Sequence, residues 1–77
     1  MVEIYQYGDD LKALNRKRDD LVREGYKFER DMNDDLGGQA EADEKRKELT
    51  DAGLEIVILK TRGLMDIWSK QKNPESK

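Results

Sequence analysis

The chain has no cysteine and no histidine among its 77 residues. Without cysteine, a disulfide or a thiolate metal site is excluded, so a small domain lacks two common sources of stability. Without histidine, the commonest general base and a common zinc ligand are missing. We therefore expect no enzymatic activity, no cofactor and no metal. We also expect so small a domain to depend on an efficient core or on oligomerisation.

Prolines and long apolar runs are scarce as well. The only proline is Pro74, and the longest strongly apolar run, residues 56–59, is far too short to cross a bilayer. The first residues lack the basic start and the apolar stretch of a secretory signal. A cytoplasmic protein with no membrane partner is the default expectation.

Charged side chains are abundant, at 43% of the residues, but the net charge is only −3. Near balance favours a salt-bridged surface over a self-repelling coil, so we predict one folded domain over residues 1–70 and a flexible polar tail over 71–77. The charges are unevenly distributed. Residues 11–30 hold seven Lys and Arg against four Asp and Glu, whereas residues 31–44 hold six acids and no base.

One pattern occurs twice, and its second copy begins 28 residues after the first. The run Lys-Arg-Asp-Asp-Leu at 17–21 precedes Gly25, and the run Lys-Arg-Lys-Glu-Leu at 45–49 precedes Gly53. Each copy is typical of a charged helix, a glycine that ends it in the left-handed conformation, and a following strand. The repeat therefore predicts two helix-then-strand units.

Hydrophobic patterning extends these units to the element order β-α-β-α-β-β. Because crossovers between parallel strands are right-handed, we predict an α/β two-layer sandwich, with both helices on one face of a four-stranded mixed sheet and the other face open. The strand order stays undetermined. The predicted strands are residues 2–7, 26–32, 54–61 and 64–70, and the predicted helices are residues 11–24 and 39–52.

Residues 26–36 have an alternative interpretation. Leu14, Leu21 and Phe28 keep a seven-residue spacing, so the first helix could continue and form a helical hairpin at Gly37 and Gly38. Gly25 argues against this because glycine inside a helix costs about 1 kcal/mol.

The acidic connector contains the closest approach to a ligand motif. Residues 31–35, Asp-Met-Asn-Asp-Asp, match the start of an EF-hand calcium loop. Leu36 stands where that loop needs glycine, and Ala42 stands where it needs a bidentate glutamate. We interpret the segment as a solvated acidic loop that caps the second helix, with weak calcium binding as the alternative.

The leading functional hypothesis is based on the open sheet face. We expect the protein to be a small, non-enzymatic regulatory module that binds a protein partner. We expect it to form a homodimer through the open face or an edge strand. The expected contact residues are Tyr5, Tyr7 and Trp68, although core packing is an alternative role for Trp68. Arg18 is the expected charged anchor, because it projects from the apolar helix face and must reach either water or a carboxylate.

Two other functions are alternatives to the protein-interaction module. The protein could be an acidic inhibitor that mimics nucleic acid in a basic groove, or it could bind nucleic acid through its basic first helix. The mimic would use Asp31, Asp34, Asp35, Glu41, Asp43 and Glu44. Direct nucleic-acid binding would use Lys12, Arg16, Arg23 and Lys27.

Overall fold

The computed structural model describes residues 2–71, which form a four-stranded sheet and two helices in the predicted order. The predicted tail lies outside the described residues except for Gln71, which ends the last strand. The elements are β1 (Val2–Gly8), α1 (Leu11–Arg23), β2 (Lys27–Asn33), α2 (Leu36–Asp51), β3 (Leu54–Thr61) and β4 (Leu64–Gln71).

The sheet is mixed, as expected, and its strands lie in the order β1-β3-β4-β2. β1 pairs with β3 in parallel, and β4 runs antiparallel to both of its neighbours, β3 and β2. The three strands β1, β2 and β3 therefore point the same way. β1 and β2 form the two edges of the sheet.

The two helices lie on opposite faces of this sheet, so the expectation of two layers with both helices on one face is wrong. Ile56 of β3 packs with Leu49 of α2, whereas its neighbour Val57 packs with Leu21 of α1. The reason is the direction of the crossovers. The chain crosses from one edge to the other through α1 and returns to the interior of the sheet through α2. Two right-handed crossovers in opposite directions place their helices on opposite faces.

The predicted repeat corresponds to two equivalent helix ends. Gly25 and Gly53 both adopt the left-handed conformation, with φ of 95° and 83°. The preceding residues, Glu24 and Ala52, each donate their backbone N–H to the carbonyl four residues earlier, at 2.9 and 3.1 Å. The alternative in which α1 continues past Gly25 is therefore wrong, because residues 27–33 form a strand.

α2 begins at Leu36, three residues before its predicted start. Asp35 is its N-cap, and the Asp35 carboxylate accepts a hydrogen bond from the backbone N–H of Gly38 at 2.7 Å. A Cβ atom on Gly38 would lie 1.6 Å from the carbonyl oxygen of Asn33. A glycine is thus required where β2 turns into α2, and the two glycines belong to the helix and not to a loop.

Replacing Gly38 with alanine should destabilise the protein by about 3 kcal/mol, because the new methyl group must push the backbone of Asn33 away. Gly37→Ala is the matched control. A Cβ atom there would meet only the Asp35 carboxylate at 3.7 Å, and alanine favours the helix by up to about 1 kcal/mol. Urea unfolding of the two variants measures the difference. Equal stabilities would contradict the close approach of β2 and α2.

Each helix covers only part of its sheet face. On the face that carries α1, the α1 face, the helix packs against β1 and β3. On the opposite face, the α2 face, the helix packs against β3 and β2. Trp68 and Asp66 of β4 are still buried beside α1, so the part of the α1 face left without a helix over it is the outer part, along β2 and the far side of β4. The same is true of β1 on the α2 face.

Candidate functional site

The outer part of the α1 face that no helix covers lies between the flank of α1 and strand β2, and we name this surface the α1 groove. Leu11, Arg18 and Val22 stand seven and four residues apart, so they share one flank of α1. Arg18 bonds to β4, which places this flank beside the open strands. Phe28 of β2 and Leu64 of β4 are half exposed on the same face.

An ion pair between α1 and β4 lies at the centre of the α1 groove. Nε and Nη2 of Arg18 donate to Oδ2 of Asp66 at 2.8 and 2.5 Å, and Nη1 donates to Asn15 at 3.4 Å. Asp66 is 5% exposed, whereas the side chain of Arg18 keeps 40% of its surface exposed. Arg18 was expected to reach either water or a carboxylate. It reaches a carboxylate, and that carboxylate belongs to its own chain.

A second carboxylate lies directly across the strand pair from Asp66. Asp31 of β2 is the register partner of Asp66, so both side chains project on the α1 face. Asp31 is exposed and, within residues 2–71, has no salt bridge. Because the guanidinium of Arg18 is directed at Asp66, the groove carries uncompensated negative charge at Asp31.

Trp68 forms the floor of the groove and belongs to the core. It is 6% exposed and packs with Leu14 and Leu21 under α1. The ring of Phe28 meets it edge-on, with centroids 5.4 Å apart. Its indole Nε1 has no hydrogen-bond partner among the described residues. Core packing, the alternative expected for Trp68, is therefore what the structure shows, and Phe28 is the aromatic ring that the groove exposes.

Tyr5 and Tyr7 lie on the α1 face but under the other part of α1. Both pack at the margin of the cluster beneath α1. The ammonium of Lys17 lies 4.4 Å from the centroid of the Tyr5 ring, and the Tyr5 hydroxyl donates to Glu3 at 2.8 Å. The helix thus separates the predicted contact residues into two groups. Arg18 and Trp68 lie at the α1 groove, and the two tyrosines lie on β1 at the other side of α1.

The residues of the acidic connector are distributed over different surfaces. Asp35 caps α2, and Asp34 lies 4.0 Å from Lys60. Two acids of α2 have nearby bases too: Glu41 lies 3.8 Å from Arg30, and Asp43 lies 3.2 Å from Arg46. Asp31 is on the α1 face, and Glu44 is exposed on α2. Residues 31–33 are extended strand, so the calcium-loop pattern does not form a loop.

The basic residues named for nucleic acid are also dispersed. Lys12 and Arg16 are exposed on α1, and Arg23 pairs with Asp20 at 2.9 Å. Lys27 is on β2 opposite Ser69, whose other neighbour, Ile56, belongs to the core of the α2 face. Lys27 therefore projects on the face away from α1.

Comparisons with protein-family models, with curated proteins and with solved structures found no match. Within residues 2–71, neither helix has the length and apolar character needed to span a bilayer. The same part of the chain brings no three Asp or Glu side chains together as a possible metal site.

The sequence-based predictions did not include Asp66, although the sequence contains a signal for it. A single carboxylate interrupts the apolar strand between Met65 and Ile67, both of which are buried. Asp66 alternates with those neighbours and so projects on the α1 face, towards the helix that carries the unexplained Arg18. Matching a lone acid in a strand to a lone base on an apolar helix face would have found the pair.

Breaking the ion pair from its two ends should have unequal effects. Arg18→Met leaves the carboxylate of Asp66 buried without a guanidinium, so we expect a loss of about 3 kcal/mol of unfolding free energy. Asp66→Asn keeps an acceptor and lets Arg18 turn to water, so we expect about 1 kcal/mol. Arg23→Met, which breaks an exposed pair, should cost less than about 0.5 kcal/mol. Urea unfolding would contradict the ion pair's role if Arg18→Met and Arg23→Met cost the same.

The three tyrosines near α1 should lose their phenolic protons at a higher pH than free tyrosine, because the fold raises the pKa of each one. The hydrogen bond to Glu3 is the main cause of the raised pKa of Tyr5, and burial is the main cause for Tyr7 and Tyr26. Because the fold favours the neutral phenols, the tyrosines contribute to the free energy of unfolding. This contribution should be fully present below pH 10.0 and should be lost as the pH rises through the higher pKa values of the folded state.

Absorbance of the phenolate measures this effect. The native protein should titrate above 10.0, and the protein in urea should titrate near 10.0. Glu3→Gln should move part of the native transition down, whereas Glu44→Gln, at an exposed site on α2, should leave it unchanged. A native transition centred on the urea value would show that the surroundings of the tyrosines do not favour the neutral phenols.

Proposed function

We propose that this protein is a small, non-enzymatic protein-interaction module that binds a partner in the α1 groove. The supporting observation is the distribution of exposed apolar side chains. Residues 2–71 contain six large apolar side chains that are exposed. Four of these six border the α1 groove, and each of the four is 46–61% exposed. An exposed apolar cluster is typical of a surface that another protein covers. The four are Leu11, Val22, Phe28 and Leu64.

The shape and charge of the groove favour an amphipathic helix as the occupant. A helix laid beside α1 over β4 and β2 would extend the existing helical layer of this face. Leu11 and Leu64 would contact it near one end, and Val22 and Phe28 near the other. The carboxylate of Asp31 lies between them and calls for a cation. The fitting partner segment has a Lys or Arg flanked by apolar residues three or four positions away on each side.

The ion pair of Arg18 and Asp66 supports this role by fixing the centre of the groove. A buried carboxylate held by two donors keeps α1 and β4 in one relative position. A preformed groove loses less conformational entropy when a partner binds. Its two charges satisfy one another, which leaves Asp31 to select the partner.

The other two functions have less support. The acids of an inhibitor that mimics nucleic acid must face one surface, but Glu41 and Asp43 lie near bases of their own chain and Asp31 is on the opposite face. The bases of a nucleic-acid site must line a common track, but Lys27 projects away from α1. As part of the same proposal we place the protein in the cytoplasm, where domains without disulfides are usual.

Selection from a phage-displayed library of helical peptides tests the proposed groove. We expect selected peptides to share a Lys or Arg between apolar residues at helical spacing, and to change the fluorescence of Trp68. Val22→Asp should weaken their binding about tenfold or more, equivalent to about 1.4 kcal/mol. Leu36→Asp is the matched control, because Leu36 is an exposed apolar residue outside the groove.

The charge requirement has its own test. Asp31→Lys should reverse the selection towards peptides with Asp or Glu at the central position. If peptides selected on the native protein bind Val22→Asp equally well, or if they share no cation, then the α1 groove is not the binding surface.

A further inference from the structure

We propose that the free edge of β1 pairs antiparallel with β1 of a second copy of this chain, with Ile4 on the two-fold axis. The two sheet edges differ in how they are protected. β2 has a bulge near its middle, between Phe28 and Arg30, and carries four charged side chains along seven residues. β1 carries one charge, Glu3, and no proline along the same length, and its register irregularity lies at its end, after Gln6. Proteins usually protect an unused edge with charges and bulges, so the less protected β1 is the edge available for pairing.

Symmetry restricts how two copies of β1 can pair. The two-fold axis of an antiparallel pair stands perpendicular to the sheet, so paired residues share a face and the axis passes through a residue position. The register of β1 with β3 is continuous from Val2 to Gln6 and becomes irregular after it. The midpoint of this regular segment is Ile4. Pairing centred there joins all five regular residues of each copy.

The neighbouring registers are worse. An axis at Glu3 would bring two carboxylates directly opposite one another, which is destabilising. An axis at Tyr5 would pair Val2 with Gly8, beyond the irregularity. The register centred on Ile4 avoids both problems.

The charges of this register are complementary between copies of the same chain. Glu3 of one copy lies directly opposite Tyr5 of the other. Lys17 lies over the Tyr5 ring, 4.4 Å from its centroid, so the Glu3 carboxylate approaches the Lys17 ammonium of the second copy. The two-fold axis repeats this contact. Self-complementary charge on both sides of the axis favours a second copy over an unrelated protein.

The apolar contacts agree with the charges. Ile4 is 49% exposed on the α2 face, because α2 packs over β3 and β2 and leaves β1 bare. It borders an open cleft of about 180 Å³ whose other apolar walls include Ala42, Ile58 and Met65. In the dimer the two Ile4 side chains meet at the axis and close the open side of this cleft. Since the β2 edge is protected, pairing ends at the dimer, with a continuous eight-stranded sheet.

Sedimentation equilibrium from micromolar to millimolar concentration tests the pairing. The native protein should dimerise, and Glu3→Lys or Lys17→Glu should each weaken the dimer about tenfold or more, since each creates a like-charge contact. The double variant should restore dimerisation. Lys12→Glu, an equal charge change on a different side of α1, should leave the dimer unaffected. A native protein that stays monomeric throughout, or a double variant no better than the single ones, would overturn the proposal.

The absence of cysteine makes the register directly measurable. Ile4→Cys places the two thiols next to each other at the axis, so a short thiol-specific cross-linker should join two chains. In Gln6→Cys the thiols lie four residues apart along the strands, about 13 Å, and should react much more slowly. Faster linking through Gln6→Cys would show that the register is wrong. The α1 groove does not include the β1 edge, so failure of peptide binding there leaves this result intact.

Discussion

The apolar run at the centre of β3 constrains the whole molecule. Ile56, Val57, Ile58 and Leu59 are each no more than 3% exposed, and their side chains alternate between the two faces of the sheet. A strand that must bury both faces needs a cover on each of them. Two helices are available, so each face receives one, and the chain must reverse its direction across the sheet between them. The strand order, with β3 in the interior, follows from the same requirement.

One helix per face is too little to cover four strands. Helices pack 8–10 Å apart whereas strands are about 4.8 Å apart, so one helix covers about two to three strands. α1 covers one half of its face and leaves the α1 groove, and α2 leaves β1 bare on the other face. The two proposed binding surfaces are thus the consequence of burying β3 with the smallest number of helices. A chain of this size has no further element among its described residues to place over them.

How far the sequence predicts the molecule depends on the range of the interaction involved. Local signals were sufficient for the elements: Gly25 and Gly53 end helices, and alternation marks the strands. The start of α2 was missed because the close approach of Gly38 to Asn33 arises only when the strand and the helix are assembled.

The faces of the helices were missed for a different reason. Handedness alone does not determine them without the strand order, although the doubly buried run of β3 already required a helix on each face. The role of Asp66 in the site was not predicted, because it depends on Arg18, which lies 48 residues away in the chain. Predictions from local patterns therefore succeed for the elements and fail where two distant segments meet.

Comparison of the two copies of the repeat shows why only one of two equivalent arginines is held by a buried carboxylate of the sheet. Arg18 and Arg46 occupy equivalent positions in the two copies, above opposite faces of the same sheet. Below Arg18, β4 presents Asp66, and the guanidinium is fixed by two hydrogen bonds. On the other face β4 presents Met65 and Ile67, so Arg46 turns to Asp43 of its own helix.

The environment of Arg46 shows what the α1 face would be without its carboxylate. Nε of Arg46 is buried without a hydrogen-bond partner among the described residues, and its side chain borders the cleft beside Ile4. An equivalent arginine is therefore fixed on one face and poorly satisfied on the other. The difference comes from a single position in β4, because strand alternation places Asp66 below Arg18 and the aliphatic Met65 and Ile67 on the other face. A repeated helix thus lies beside two different surfaces, the α1 groove with its charged centre and an apolar border next to β1.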